Sequence, residues 1–213
     1  MLTLYDYLPS QNGWKVRQIL HHLSIPHHVR FVSIFEGEGE GQRPEYRAIN
    51  PTGAVPAIRL DDGRTLAESN AILFHLARGS RYLPDDPFAQ AKVLQWMSFE
   101  ADYVQSTLGA ARHWIMTGKT RPAEIIAARQ AGGRRALAAL DDHLGRSAFI
   151  VGDEYSVADI SMYAYAHLAE EAGVTLAPFP NVLAWSDRVR SQSFHLAERH
   201  AYSIDPHSAR ELP

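Results

Sequence analysis

The chain has 213 residues, of which 46% are hydrophobic and 21% charged, as in an ordinary globular protein of one large or two small domains. Its formal net charge of -3 gives no bulk electrostatic reason to expect nucleic acid or an anionic membrane as a partner. The chain contains no cysteine, so a disulfide framework or a cysteine nucleophile is excluded, and any thiol chemistry would need the thiol of a ligand.

The first residues, Met1 to Tyr5, predict neither a signal peptide nor a membrane span, and the expected location is cytoplasmic. The 11 histidines include no His-Glu-x-x-His pattern. Sequence neighbours such as His21 and His22 would point in different directions on a helix. We therefore expect no metal.

The N-terminal part of the chain predicts a strand–helix–strand unit and then a hairpin. Strand patterns cover 2–7 and 29–34, with a helical spacing of apolar residues between them that ends before Pro26. Such a unit favours parallel strands with a right-handed crossover. After a short helix at 44–49, strands over 55–60 and 64–67 flank the turn signal Asp61-Asp62-Gly63, and a helix follows over 68–78.

The remainder is predicted to be helical. Pro84-Asp85-Asp86-Pro87 marks a linker, and helical patterns then cover 88–114, 122–144, 156–172 and 181–192. This change in pattern predicts an α/β domain over residues 1–80 and an all-helical domain over residues 87–213. The tail after Phe194 is polar, and we expect it to be loosely held.

Ser10-Gln11-Asn12-Gly13 lies between the first strand and the first helix, where free backbone N–H groups and the helix dipole favour an anion. A helix N-terminus can lower a thiol pKa from about 8.5 by one to several units. The Ser10 hydroxyl and the Asn12 amide could both donate to a thiolate. The alternative is that both residues only cap the helix.

Two later segments could bind the rest of a peptide ligand. A cis bond at Val55-Pro56 would aim the backbone N–H and C=O of Val55 outward, although an ordinary trans proline on an edge strand is the simpler interpretation. At the next helix start, Ser69 could bind a carboxylate and Glu68 an ammonium group, or both could only cap the helix. Glutathione carries a thiol, a peptide backbone, a carboxylate and an ammonium group.

Aromatic and capping residues complete the pattern. Tyr5 and Tyr7 share one face of a strand, where packed aromatics are the ordinary interpretation. Tyr7, Tyr103 and Trp114 are nevertheless candidates for an apolar electrophile pocket. Ser156-Val157-Ala158-Asp159 matches a structural capping box, and loss of either polar end should cost about 1 kcal/mol or somewhat more.

Three motifs identify a family resemblance over nearly the whole chain: Asn50-Pro51-x-Gly53-x-Val55-Pro56, Glu68-Ser69-x-Ala71-Ile72 and Ser156-Val157-Ala158-Asp159-Ile160. In this order and spacing the chain resembles the cytosolic glutathione transferases. The resemblance implies a thioredoxin-like N-terminal domain of βαβ-ββα order, an all-helical C-terminal domain and a homodimer. It also implies a cis bond at Pro56, pairing of Val55 with the cysteinyl backbone of glutathione, and binding of the γ-glutamyl end by Glu68 and Ser69.

The subfamily is left open by the first motif. Ser10-x-Asn12-Gly13-x-Lys15-Val16 resembles bacterial enzymes of the nu type, which carry Thr-Pro-Asn-Gly-x-Lys and reduce disulfides with glutathione, and also serine-type theta and zeta relatives. Asn12 and Lys15 depart from the Ser-Ser-x-Ser-x-Arg-Val-Arg of zeta enzymes, so maleylacetoacetate isomerisation is not expected. Gln42 or Arg43 is a candidate for the glycyl carboxylate.

The resulting expectation is a glutathione S-transferase that stabilises the glutathione thiolate, through Ser10 and Asn12, for attack on a small electrophile. One alternative is a glutathione-dependent disulfide reductase of the nu type. The other is a non-catalytic relative of the fold, although such relatives usually lose the polar residues that this chain keeps at its first helix start.

Overall fold

The computed structural model describes residues 1–35, 39–119, 121–205 and 208, and the chain divides into two compact units. One unit comprises Met1–Arg78 together with the segment that starts at Leu196, and the other comprises Gly79–His195. The positions between and after the described ranges, which include the end of the predicted domain 87–213, lie outside the described residues.

A four-stranded mixed sheet with the order β2-β1-β3-β4 is the centre of the first unit. The strands are β1 (Leu2–Asp6), β2 (His27–Phe31), β3 (Ala57–Arg59) and β4 (Thr65–Ala67). β1 is parallel to β2 and antiparallel to β3, and β3 is antiparallel to β4. β2 begins two residues earlier than the sequence pattern predicted, directly after Pro26, because pairing with β1 already starts at His27.

Helices cover both faces of this sheet because alternate strand residues point to opposite sides. On one face, Leu4 of β1 and Ile58 of β3 pack with Val16 of α1 (Gln11–His22) and Ile72 of α3 (Ser69–Ala77). On the other face, Tyr5 packs under α2 (Pro44–Arg47). This is the thioredoxin-like arrangement that the resemblance implied.

The C-terminal segment is held on the first unit over its described residues 196–205, so the prediction of a loosely held tail is wrong for these residues. The carbonyl oxygen of Leu196 accepts a hydrogen bond from Trp14 Nε1 at 2.9 Å, and its amide donates to Gln18 Oε1 at 2.7 Å. Further along, the Tyr202 ring lies 6.1 Å from that of Tyr7. The residues that hold the tail are widely spaced, and some of their contacts use backbone atoms. The residue pattern of the tail is therefore polar and does not predict these contacts.

The second unit is helical, as predicted, with only an isolated bridge between Phe149 and Gly152 among its described residues. Its elements are α4 (Pro87–Phe99), a π-helical stretch (Glu100–Gly109), α5 (Ala110–Met116), α6 (Ala123–Leu144), α7 (Val157–Ala166) and α8 (Pro180–Arg190). The first three form the single run predicted over 88–114. Within the π-helical stretch, the Ser106 and Thr107 hydroxyls donate to carbonyl oxygens four residues earlier, a bond that often bends helices.

The core of the second unit is organised around the capping box of α7. Ser156 and Asp159 bond each other reciprocally at the helix start, as the sequence predicted. Asp159 also accepts hydrogen bonds from the Ile150 amide and from Trp185 Nε1 of α8, both at 2.9 Å. Among the helices described, none is long and apolar enough to cross a membrane.

Candidate active site

Ser10 caps α1. Its backbone is extended, with φ of -70° and ψ of 125°, and its Oγ accepts a hydrogen bond from the Gly13 amide at 3.2 Å. The capping role considered from the sequence is therefore present. It leaves the hydroxyl hydrogen unused by that bond, because a hydroxyl accepts through its lone pairs. Ser10 can thus cap the helix and donate to an anion at the same time.

A buried ion pair fixes the start of α1 on the end of β1. Arg17 bonds the carboxylate of Asp6, which is 1% exposed, and also donates to the carbonyl oxygen of Leu8 at 3.0 Å. Burial raises the pKa of Asp6, although the adjacent Arg17 charge acts in the opposite direction. A Cβ added at Gly13 would overlap Asp6 Oδ1, so glycine is needed for this close approach.

Sequence reasoning missed Asp6 and Arg17. The available signal was an acidic residue inside an apolar strand, followed 11 positions later by an arginine in the first helix. Such a charge in a buried strand usually has a partner, because an unpaired buried charge is strongly unfavourable.

The structure brings Asn12 and Ser69 together. The Ser69 hydroxyl donates to Asn12 Oδ1 at 3.3 Å, which joins the first turn of α1 to the first residue of α3. The N-termini of the two helices are therefore adjacent, and both helix dipoles favour an anion there. The amide hydrogens of Asn12 are not used by this bond and can act as donors.

Glu68 connects β4 to α3 in a strained conformation. Its φ of 67° is positive and its ψ is 110°, a region that non-glycine residues rarely occupy. Such strain costs of order 1–3 kcal/mol and clusters at functional sites. The side chain is exposed, so its carboxylate is available to an ammonium group beside Ser69.

The Val55-Pro56 bond is cis, as the resemblance implied. The loop before this bond is fixed by two hydrogen bonds to the Ala54 carbonyl oxygen. The Tyr46 hydroxyl donates one at 2.6 Å and the Asn50 side-chain amide the other at 2.7 Å. Within the described part of the chain, no loop or turn hydrogen bond reaches the backbone of Val55. Its N–H and C=O can therefore pair with an extended ligand.

Gln42 and Arg43 take different positions. Gln42 is exposed, its Oε1 accepts from Arg47 at 2.6 Å, and its Nε2 lies 3.4 Å from where a Cβ of Gly53 would be. Gln42 is thus near the loop that leads to Val55. The Arg43 side chain instead lines a cavity under α2, 3.9 Å from the Glu40 carboxylate.

The three candidates for the electrophile pocket lie in different units of the chain, Tyr7 in the first and Tyr103 and Trp114 in the second. Tyr7 is fully buried and its hydroxyl donates to the Tyr202 carbonyl oxygen at 3.4 Å, so it is the packed aromatic of the alternative interpretation rather than the wall of an open pocket. Burial raises its pKa well above the usual value. In the second unit, Tyr103 is 57% exposed beside Phe99, and Trp114 is partly buried under the Arg121 guanidinium. Among the described residues, no three His, Asp or Glu side chains form a potential metal site.

Two family models match the chain. That of the glutathione S-transferase N-terminal domain matches residues 9–78, which contain all the predicted glutathione-binding residues. That of the glutathione S-transferase C-terminal domain matches residues 123–188.

Curated relatives carry more than one activity in their names. The disulfide-bond oxidoreductase YfcG of Escherichia coli is 29% identical, over 90% of this chain and 91% of its own length. The probable maleylacetoacetate isomerase 2 of Drosophila melanogaster is 33% identical, over 99% of this chain and 92% of its own.

Among solved structures, a glutathione S-transferase from Pseudomonas fluorescens Pf-5 superposes with a TM-score of 0.87 at 36% identity, covering 92% of this chain and 97% of that one. The two domain models match separate parts of the chain, whereas these curated relatives and this structural neighbour each cover 90% or more of it. The chain therefore belongs to the glutathione S-transferase family.

Proposed function

We propose that this protein binds glutathione and stabilises its thiolate at the start of α1, for attack on a small electrophile. The contact of Ser69 with Asn12 carries the proposal, because a γ-glutamyl site at Ser69 and a thiolate site at Asn12 would be adjacent, as two parts of one ligand require. The Val55 backbone supplies the intervening peptide pairing, and Gln42 is the better placed candidate for the glycyl carboxylate.

Ser10 and Asn12 share the activation of the thiol in this proposal. Each offers a hydrogen bond that is stronger to the thiolate than to the thiol, and the α1 dipole acts in the same direction. The thiol pKa of bound glutathione then falls below its free value of about 8.5, so more nucleophile is present at neutral pH. Asn12 bridges both helix starts, so we expect its loss to be at least as damaging as that of Ser10.

The test is an ultraviolet titration of the thiolate of bound glutathione, together with turnover on an aryl halide. Ser10→Ala and Asn12→Ala should each raise the thiol pKa and reduce turnover by about 10- to 100-fold, the value of one hydrogen bond to a charged group. Ser98→Ala, at an exposed position of α4, is the matched control. If the double variant Ser10→Ala, Asn12→Ala keeps both the thiol pKa and the turnover, the assignment is wrong.

Glutathione-dependent disulfide reduction is the second candidate. The similarity to a disulfide-bond oxidoreductase and the Asn12-Gly13-x-Lys15 pattern support it. Here the glutathione thiolate attacks one sulfur of a disulfide and releases the other as a thiolate, and a second glutathione resolves the mixed disulfide to give oxidised glutathione. Parallel assays with an aryl halide and a model disulfide separate the two reactions. Failure to bind a glutathione column would instead favour the non-catalytic alternative.

A homodimer is proposed from the family alone. Phe88 and Leu94 of α4 are 71% and 47% exposed and are suitable apolar residues for such an interface. Analytical ultracentrifugation of the wild type and of Phe88→Ser tests this assembly, and a monomeric wild type would reject it.

A further inference from the structure

A cavity of about 150 Å³ lies under α2, on the face of the sheet opposite α1 and α3. Of the residues considered for glutathione, only Arg43 lines it. The cavity lining does not include Ser10, Asn12, Val55 or Ser69. Its lining consists of Tyr5, Arg30, Val32, Glu40, Arg43, Glu45, Tyr46 and Ile49.

Tyr5 lines this cavity and carries a buried hydroxyl. The residue is 1% exposed, and its hydroxyl oxygen has no hydrogen-bond partner within the described part of the chain. The neighbouring Tyr46 hydroxyl, in contrast, donates to the Ala54 carbonyl oxygen at 2.6 Å. Because a buried polar group without a partner is unfavourable, an occupant that bonds Tyr5 would be stabilised.

Charges of both signs line the cavity. The Arg30 guanidinium lies 5.8 Å from the centre of the Tyr5 ring, and neither Arg30 nor Glu45 makes an ion pair with another described residue. Arg43 and Glu40 make only a long pair, at 3.9 Å. The lining therefore offers donors for an anionic group and acceptors for a cationic group, beside the apolar side chains of Val32 and Ile49.

We propose that this cavity binds a small zwitterion of the amino-acid type. Its carboxylate would accept hydrogen bonds from the Tyr5 hydroxyl and from Arg30, and its ammonium group would face Glu45. A water molecule occupies about 30 Å³ of liquid, so the cavity has room for about five non-hydrogen atoms, the size of glycine. The site does not depend on the glutathione proposal, because the residues used there are Ser10, Asn12, Gln42, Val55 and Ser69, and none of these lines the cavity.

The test is a titration of the isotope-labelled protein with glycine, followed by NMR chemical shifts. Tyr5→Phe and Arg30→Gln should each weaken glycine binding about tenfold or more, since each removes a hydrogen bond to the carboxylate. Arg59→Gln is the matched control, because Arg59 lies 5.7 Å from the same ring centre but does not line the cavity. Absence of glycine binding, or equal binding by Tyr5→Phe and wild type, overturns the proposal.

Two further arms define the ligand and the site. Acetate lacks the ammonium group and should bind about tenfold more weakly than glycine, whereas equal binding would show a plain anion site and reject the zwitterion. Asn12→Ala should bind glycine as the wild type does, and loss of binding there would place glycine in the glutathione site instead. Tyr5→Phe removes no described hydrogen bond, so thermal unfolding should show an intact fold.

Discussion

The Ser33 hydroxyl donates a 2.6 Å hydrogen bond to Asp205 Oδ2, which joins the segment after β2 to the C-terminal segment across 172 positions of the chain. Both residues are 1% exposed. The Ser33 carbonyl oxygen also accepts a bond from the Gly41 amide at 3.1 Å. The C-terminal segment thus supports the loop from which Gln42 extends, and it is part of the framework of the candidate site.

Loss of this support should be measurable in Asp205→Ala. The Ser33 hydroxyl would lose its acceptor while remaining buried, so we expect the free energy of unfolding to fall by about 1–3 kcal/mol in urea denaturation. Glu198→Ala is the control on the same segment, because its side chain is 41% exposed and Arg17 would keep its bond to Asp6. Equal stabilities of the two variants would show that the Ser33 contact contributes little.

Removal of the charge beside Asp6 should alter the pH dependence of stability. In Arg17→Met the Asp6 carboxylate remains buried without its counter-ion, and we expect a loss of about 3–5 kcal/mol at neutral pH. Burial already raises the pKa of Asp6, and without Arg17 it rises further. The folded variant then holds a proton that the unfolded chain releases, so its stability should increase as the pH falls towards about 4.

Urea denaturation of Arg17→Met and wild type at several pH values measures this effect. Arg64→Met is a control, because the Arg64 side chain is 76% exposed in its pair with Asp62 and should contribute little. If the loss of unfolding free energy in Arg17→Met does not change with pH, the loss is not caused by the buried Asp6 carboxylate.

The order of elements in the first unit followed from the sequence because local patterns determine it. Alternating strands, the turn at Gly63 and the helix starts at Ser10 and Ser69 each have a short-range signal. The contact of Asn12 with Ser69 joins residues 57 positions apart, and no local pattern contains it. The sequence motifs pointed to Asn12 and Ser69 separately, and the contact between them is seen only in the structure.

The tail was predicted wrongly, and the sequence left Tyr7 between a core and a pocket position, for a related reason. Tyr7 in an alternating strand can face a pocket or a core, and only the position of Tyr202 decides between them. The C-terminal segment is held through the backbone of Leu196, whose carbonyl oxygen accepts from Trp14 Nε1 and whose amide donates to Gln18 Oε1. Backbone donors and acceptors are the same in every residue other than proline. Sequence patterns report side-chain burial and contain no signal for such contacts.

Gly13 should not tolerate a side chain. Alanine is favoured over glycine in helices by about 1 kcal/mol, but the new Cβ would overlap Asp6 Oδ1, which Arg17 holds in place. We expect Gly13→Ala to lower the free energy of unfolding by about 1–3 kcal/mol and to weaken glutathione binding, since α1 must move away from β1. Gly145→Ala should be less destabilising than Gly13→Ala, because its nearest neighbouring atom, Asn181 Nδ2, is at 3.3 Å and needs only a small shift. A Gly13→Ala variant of higher stability would show that α1 adjusts freely.

Asp159 should be far more important to stability than a capping residue alone. Its carboxylate accepts hydrogen bonds from Ile150, Trp185 and Ser156, so Asp159→Ala leaves several buried donors unpaired. We expect a loss of about 3–5 kcal/mol, against about 1 kcal/mol for Ser156→Ala, in which mainly the cap is lost. Urea denaturation followed by tryptophan fluorescence compares the two. Similar losses would mean that Asp159 acts only as part of the cap.

Replacement of Asp159 by asparagine should remove a pH dependence from the wild type. Burial raises the pKa of Asp159 to about 6, although its hydrogen bonds from Ile150 and Trp185 act in the opposite direction. Because the folded protein holds this proton more tightly than the unfolded chain, the contribution of the group is complete below about pH 4 and is lost as the pH rises through about 6. Asparagine does not titrate, so the stability advantage of the wild type over Asp159→Asn should be larger at pH 5 than at pH 7. Urea denaturation at these two pH values measures the difference in unfolding free energy. If the wild type is instead favoured more strongly at pH 7, the folded protein is stabilised by the ionised form of Asp159, which contradicts the prediction.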